Sequence, residues 1–235
     1  VNGINEHELG YGSYVAPDRI IATVGYRKEY GKHFASAISL IYDGSQIGYS
    51  GSWSYTRYSY TFDKNVIGDG YGANSLIYIP ASREELNDWN FTASTYKENG
   101  KSVEYSADAQ RNDFWAFINQ DSYLKKHKGE YAKRGGGIMP WRHQFDVKFM
   151  QDFYVKVGGK RNTLQFGLDI ENIGNLLNHK WGLYKQLNSK FILNYSNGAY
   201  HFNTNNGERL TSSFRNYQSF NSTYSVQFSL RYIFN

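Results

Sequence analysis

The sequence predicts an all-β chain: a transmembrane antiparallel β-barrel segment of about seven strands, with one long, partly helical outer loop. Three observations point there. Apolar and polar side chains alternate over long runs, so each run has one apolar and one polar face. The polar positions of these runs hold full charges in mid-strand, which a wet lumen tolerates and a packed core does not. Aromatic residues gather at the run ends (Tyr26, Tyr30, Tyr42, Trp141, Tyr232, Phe234), where a membrane interface favours them.

Residues 1–18 read as part of an outer loop. The start "VNGINEHELGYGSY" has neither Met nor a basic start followed by an apolar core, so the chain is expected to be a piece of a longer polypeptide. Residues 19–42 predict a strand hairpin. In "RIIATVGYRKEY", Ile20, Ala22, Val24 and Tyr26 oppose Thr23, Gly25 and Arg27. In "FASAISLIY", Phe34, Ile38, Leu40 and Tyr42 share a face, and "YGKH" is the short turn between the two runs.

Residues 43–140 form the long outer loop. It holds one helical pattern, "DAQRNDFWAFINQDSYLKKH", with Phe114, Trp115, Phe117, Ile118 and Tyr123 as an apolar stripe, Asp108 or Ser106 as cap and Gly129 after its end. Packing of the loop against the barrel mouth explains this stripe. Contact of Trp115 and Tyr123 with a ligand or a surface lipoprotein lid is the functional alternative. "DKNVIGDGYGAN" offers Asp63, Asn65 and Asp69 as oxygen ligands for calcium. Its spacing is not that of an EF-hand, since Asn74 stands where the last Glu belongs, and Asx turns explain the same composition.

Residues 141–235 predict the last five strands. They are "HQFDVKFMQDFYVKV", "TLQFGLDIENI", "KFILNY", "AYHFN" and the terminal run, with "GGKRN" as a short turn after the first. Asp146, Lys148, Asp169, Glu171 and Arg231 are the predicted lumen-facing charges, with cross-strand pairing as their main role. In the last strand Tyr224, Val226, Phe228, Leu230, Tyr232 and Phe234 all fall on one face. A barrel of this type needs an even strand number of at least about eight, and an unclosed edge leaves backbone groups unsatisfied in lipid. Partner strands are therefore expected.

Composition agrees and excludes several classes. Of 235 residues, 18% are aromatic, including 22 Tyr, and 20% are charged, below the roughly 25% common in soluble domains. There is no Cys, which removes disulfide frameworks and zinc ribbons. No apolar stretch reaches the ~18 residues of a membrane-spanning helix. The net charge of +5 is spread among acidic residues, with "YLKKHKGEYAKR" the only local basic cluster, so nucleic acid is not an expected partner. "RGGGIMP" and "GGKRN" lack the GK[ST] ending of a phosphate loop. The six His show no metal-ligand spacing. No catalytic constellation is present, and an enzyme is not expected.

"SLIYIP", "GEYAKRGGGIMPWRHQFDVKFMQDF", "GGKRNTLQFGLDIENIGNLLN" and the terminal "FSLRYIFN" resemble TonB-dependent outer-membrane receptors of the Bacteroidota, in particular the Oar-like, OmpA-related branch. The similarity covers roughly residues 15–235 and is most specific at 129–178 and at the end. The resemblance implies the last strands of a 22-stranded barrel in the cell outer membrane. An amino-terminal barrel portion and plug would lie upstream, and the TonB complex would drive import of a nutrient. It also implies that the terminal strand, with its final aromatic, serves as an assembly signal. Asn235 follows that aromatic where the family usually stops. Two other functions compete with import: a secreted β-sandwich that binds glycans through its aromatics, and a barrel of the same branch serving protein export or surface assembly. No resident cofactor is expected, calcium in the outer loop being the one candidate.

Overall fold

Five long strands pair into one antiparallel sheet, in the spatial order in which they follow along the chain: β1 (Arg19–Tyr30), β2 (Phe34–Gln46), β3 (Trp141–Val157), β4 (Lys160–Glu171) and β5 (Ser225–Phe234). The computed structural model describes residues 9–51, 53–66, 68 and 74–234. The chain is all-β in class, and among the described residues no helix is long and apolar enough to cross a membrane. It divides into two compact units. One comprises Ala16–Ile47, Pro140–Tyr184 and the residues from Asn216 onward. The other comprises the residues through Val15, Gly48–Met139 and Lys185–Arg215.

The first unit is built on the five-stranded sheet. β1 and β2 turn at Gly31 (φ 57°), and β3 and β4 turn through Gly158 and Gly159 (φ 59° and 81°). Consecutive positive φ values match the right-handed twist of the flanking strands, and glycine adopts them without strain. Both tight turns lie at one end of the sheet. At the other end β2 and β3 are in register at Gln46 and Trp141, and β4 and β5 at Glu171 and Ser225, and long segments leave there. β1 and β5 are the edges.

The second unit has an apolar core of its own. Helix α1 (Ala107–Gln120) starts where the Ser106 hydroxyl accepts from the Ala109 N–H at 3.2 Å, satisfying one free donor of its first turn. Phe114, Phe117 and Ile118 are fully buried, with Phe202 against both Phe rings. Tyr60, Ile77, Ile79, Leu86, Leu124 and Met139 fill the rest. Gln110 lies sealed in this core. It donates to the carbonyls of Thr92 (2.7 Å) and Tyr105 (2.9 Å) and accepts from the Phe202 N–H at 3.0 Å.

Two predicted sheet strands belong here instead. Phe191–Ser196 and Ala199–Phe202 pair with each other, and the first also pairs with Thr61–Phe62. Six and four residues are too few to cross a hydrocarbon layer, which needs about nine to eleven. Ile192 and Leu193, neighbours in sequence, are both fully buried, so no free apolar face remains. The long sheet therefore has five strands rather than seven, and residues 141–235 supply three of them.

Candidate functional site

The strand register sorts the sheet into two faces. Val24, Leu40, Val147, Ile170 and Val226 form one row across all five strands, and Tyr26, Ile38, Phe149, Leu168 and Phe228 form the next. This apolar face is open: Val24 is 67% exposed, Phe228 67% and Leu230 72%. Aromatics bound it at both ends. At the end with the long connections Tyr42 packs on Phe145 (5.0 Å between centroids) and stacks on His143, which stacks on Trp141. At the tight-turn end Phe34 packs between Tyr30 (5.9 Å) and Phe153 (5.7 Å), and Tyr232 stacks on Phe234.

Close to the turn, one row of the apolar face is polar on its first three strands (Lys28, Ser36, Gln151) and apolar on the last two (Phe166, Leu230). Ser36 donates to Gln151 at 2.6 Å, and the Gln151 amide donates to the Ala35 carbonyl at 3.1 Å. Lys28 shares this row at the sheet edge, and its long stem can carry the ammonium toward the interface.

The opposite face is charged. Arg19 binds Asp43 (2.6 Å), Lys148 binds Asp169 (2.8 Å), and Arg27 bridges Glu29 (3.0 Å) and Asp152 (3.1 Å). Arg161 adds to Glu29 at 3.4 Å, and Gln165 donates to Asp152 at 2.8 Å. Arg19–Asp43, Lys148–Asp169 and Gln165–Asp152 join neighbouring strands and Arg27–Glu29 lie two residues apart on β1, so the pleat brings them together, whereas Arg27 reaches Asp152 across β2 and Arg161 reaches Glu29 across β3 and β2. The burial is inverted relative to a soluble sheet. Asp152, Arg142 and Thr163 on the charged face are only 6–8% exposed.

All five charges singled out from the sequence fall on this face. Lys148 and Asp169 are a cross-strand ion pair. Asp146 accepts from Gln144 (2.7 Å) and from the Asn172 N–H (2.7 Å). Glu171 accepts from Ser225 (3.0 Å), and Arg231 stands opposite Gln165. Asp43, Arg27, Glu29 and Arg161 complete the ladder. Arg27 already stood on the polar face of its run in the sequence, and the same alternation places Asp43, Glu29 and Arg161 there too. On β5, Val226, Phe228, Leu230, Tyr232 and Phe234 share the apolar face, and Tyr224 stands just before the strand.

The candidates in the second unit are dispersed. The Asp63 carboxylate turns inward to the Asn194 amide at 2.9 Å, and burial pushes its pKa upward in spite of Lys64. Asn65 accepts from the Gly68 N–H at 2.9 Å, an Asx turn. Asp69 lies outside the described residues. Among the described residues no three His, Asp or Glu side chains converge as a metal site. Trp115 is half-buried, with the Lys128 ammonium 4.2 Å above its ring. Tyr123 is a core residue, 7% exposed, whose hydroxyl accepts from the Lys133 N–H at 2.7 Å. Both side chains serve the packing of the unit.

No family model, no curated protein and no solved structure matches the chain.

Proposed function

We propose that the chain is the carboxy-terminal portion of an outer-membrane β-barrel, part of a TonB-dependent transporter that imports a nutrient ligand with inner-membrane energy. The observation that carries the membrane assignment is the inverted sheet: Asp152 and Arg142 are buried on the charged face, while large apolar residues lie bare on the other. In water the bare face costs free energy; in lipid it is the favoured surface, and the charges then line a wet lumen. Phe145 and Phe153, in the two aromatic belts, stand eight residues apart on β3, about 27 Å along the strand. At a barrel tilt of about 40° that becomes roughly 20 Å along the membrane normal, close to the ~25 Å apolar band of such barrels. Five strands leave two edges, so further strands, with a plug, must come from outside these residues. The transporter assignment rests on the resemblance of residues 129–178 and of the terminal strand.

The test is fractionation of expressing cells. The chain should sediment with outer membranes and resist carbonate extraction, and its full polypeptide should migrate faster on gels before heating than after. Recovery in a detergent-free soluble fraction would refute the membrane assignment and make the secreted glycan-binding module the better account. Import, as opposed to export, predicts that uptake stops when the proton gradient is collapsed.

A further inference from the structure

A cavity of about 960 Å³ opens within the second unit, among Tyr11, Tyr55, Arg57, Tyr58, Arg134 and Lys190. Its described lining contains three cationic side chains and no carboxylate. None of the three forms an ion pair among the described residues. Among the described residues, positive charge is thus concentrated at a concave site without an internal counter-ion.

Arg57 is the built part of the site. Its guanidinium lies over the Tyr11 ring, 3.9 Å from the centroid, and Nη1 donates to the Gly135 carbonyl at 3.1 Å. Both supports are fixed in turn. The Tyr11 N–H donates to the Arg134 carbonyl at 3.3 Å, and the Gly135 N–H donates to the Ser59 hydroxyl at 2.8 Å. Nε is buried and has no hydrogen-bond partner among the described residues. A guanidinium held in this way suits the oxygens of a carboxylate or phosphate. Arg134 and Lys190 are exposed and add charge at the rim.

The remaining lining narrows the ligand class. Tyr11, Tyr55, Tyr58 and Phe191 contribute aromatic surface to the lining, while Ser13, Ser59, Asn188 and Ser189 contribute hydroxyl and amide groups. Rings beside small hydrogen-bonding groups suit a body with apolar faces and a hydroxylated rim. The volume lies toward the upper end of small-ligand sites, which run to about 1,000 Å³. We propose that this cavity binds an acidic saccharide, its carboxylate or phosphate gripped by Arg57. Every lining residue belongs to the second unit, so the inference is independent of the membrane assignment.

The test is calorimetric titration of the full polypeptide, with its partner strands, in detergent with digalacturonate, glucose 6-phosphate and neutral lactose. At least one acidic sugar should bind, with lactose weaker by about tenfold or more, and binding should weaken as salt is raised. Which acidic sugar binds tells carboxylate from phosphate. Arg57→Gln should weaken binding by about tenfold or more, as expected for loss of a charge-assisted hydrogen bond. Arg134→Gln, at an exposed position, should weaken it less and keeps the test decisive if Arg57→Gln unfolds. Equal binding of lactose, no binding of either acid by a chain with native near-ultraviolet circular dichroism, or unchanged affinity in both variants would overturn the proposal. Failure of the membrane assignment would show in fractionation instead and leave these titrations unaffected.

Discussion

The Tyr60 hydroxyl donates to the Asp121 carboxylate at 2.7 Å, and both side chains are sealed from solvent, at 0% and 1% exposure. The same oxygen accepts from Ser213 (2.6 Å) and Tyr58 (3.2 Å), while the other accepts from the N–H groups of Tyr123 and Leu124, each at 2.9 Å. One buried carboxylate therefore ends α1 and ties it to segments some 60 and 90 residues away in sequence. A buried charge is tolerable when its acceptor sites are filled in this way.

Replacing Asp121 with Ala orphans three hydroxyls and two amides at once. The expected cost is about 3 kcal/mol or more, against about 1 kcal/mol for Tyr60→Phe, which removes one donor and leaves the others. Urea denaturation followed by near-ultraviolet circular dichroism reads both. Equal midpoints for the two variants would contradict the hub.

High pH should unfold the second unit cooperatively. Burial, with Asp121 adding for Tyr58 and Tyr60 and Asp113 adding for Tyr105, holds these three phenols above their ordinary pKa. A raised folded pKa means that the neutral phenols add stability below the unfolded value of about 10, and that this contribution is lost as pH climbs through the folded values. Tyrosinate absorbance should then appear together with loss of native circular dichroism. Gradual ionisation with the spectrum intact would argue against sealed hydroxyls.

The two faces of the sheet can be separated chemically. With no native Cys, Phe228→Cys and Ser229→Cys each place one thiol on β5, the first in the apolar row of Leu168 and the second opposite Gly167. In membranes a charged thiol reagent should modify position 229 about tenfold faster or more than position 228, because lipid excludes the reagent while a lumen admits it. Equal rates would remove the lipid-facing assignment.

The cap of α1 gives a smaller, local effect. Ser106→Ala should cost about 1 kcal/mol of the second unit's stability, and Ser106→Asp should restore it by accepting the same N–H and favouring the positive helix terminus. An unchanged urea midpoint in Ser106→Ala would mean that water serves the first turn equally well.

What the sequence disclosed follows from the range of each interaction. β1 to β5 were legible because apolar and polar side chains alternate along ten or more residues, a local signal that Phe145, Val147 and Phe149 carry without help from elsewhere. α1 was legible for the same local reason, and of the two caps the sequence offered, Asp108 or Ser106, the structure uses Ser106. The Phe191–Phe202 hairpin misled because short alternation also occurs in a core; Ile192 and Leu193, buried side by side, were the clue. Asn99–Gly100, Asn197–Gly198 and Asn206–Gly207, each with two positive φ values, mark three tight turns of the second unit and were readable as hairpin signals. The Asp121 hub and the Arg57 cavity were not legible, since they join residues dozens of positions apart with no periodic signature.

Gly48 and Met139 lie so close that a Cβ on the glycine would overlap the methionine side chain. Two residues further out, Gln46 and Trp141 begin the pairing of β2 with β3. Joining those strands across a flexible 47–140 segment would require about 4 kcal/mol of loop-closure entropy. Once the second unit has formed, that closure is already complete, and one residue on each strand separates Gly48 and Met139 from the first pair of the ladder. The expected consequence is a direction of folding from the second unit to the sheet, checked by whether Asp121→Ala delays strand pairing on β2 and β3.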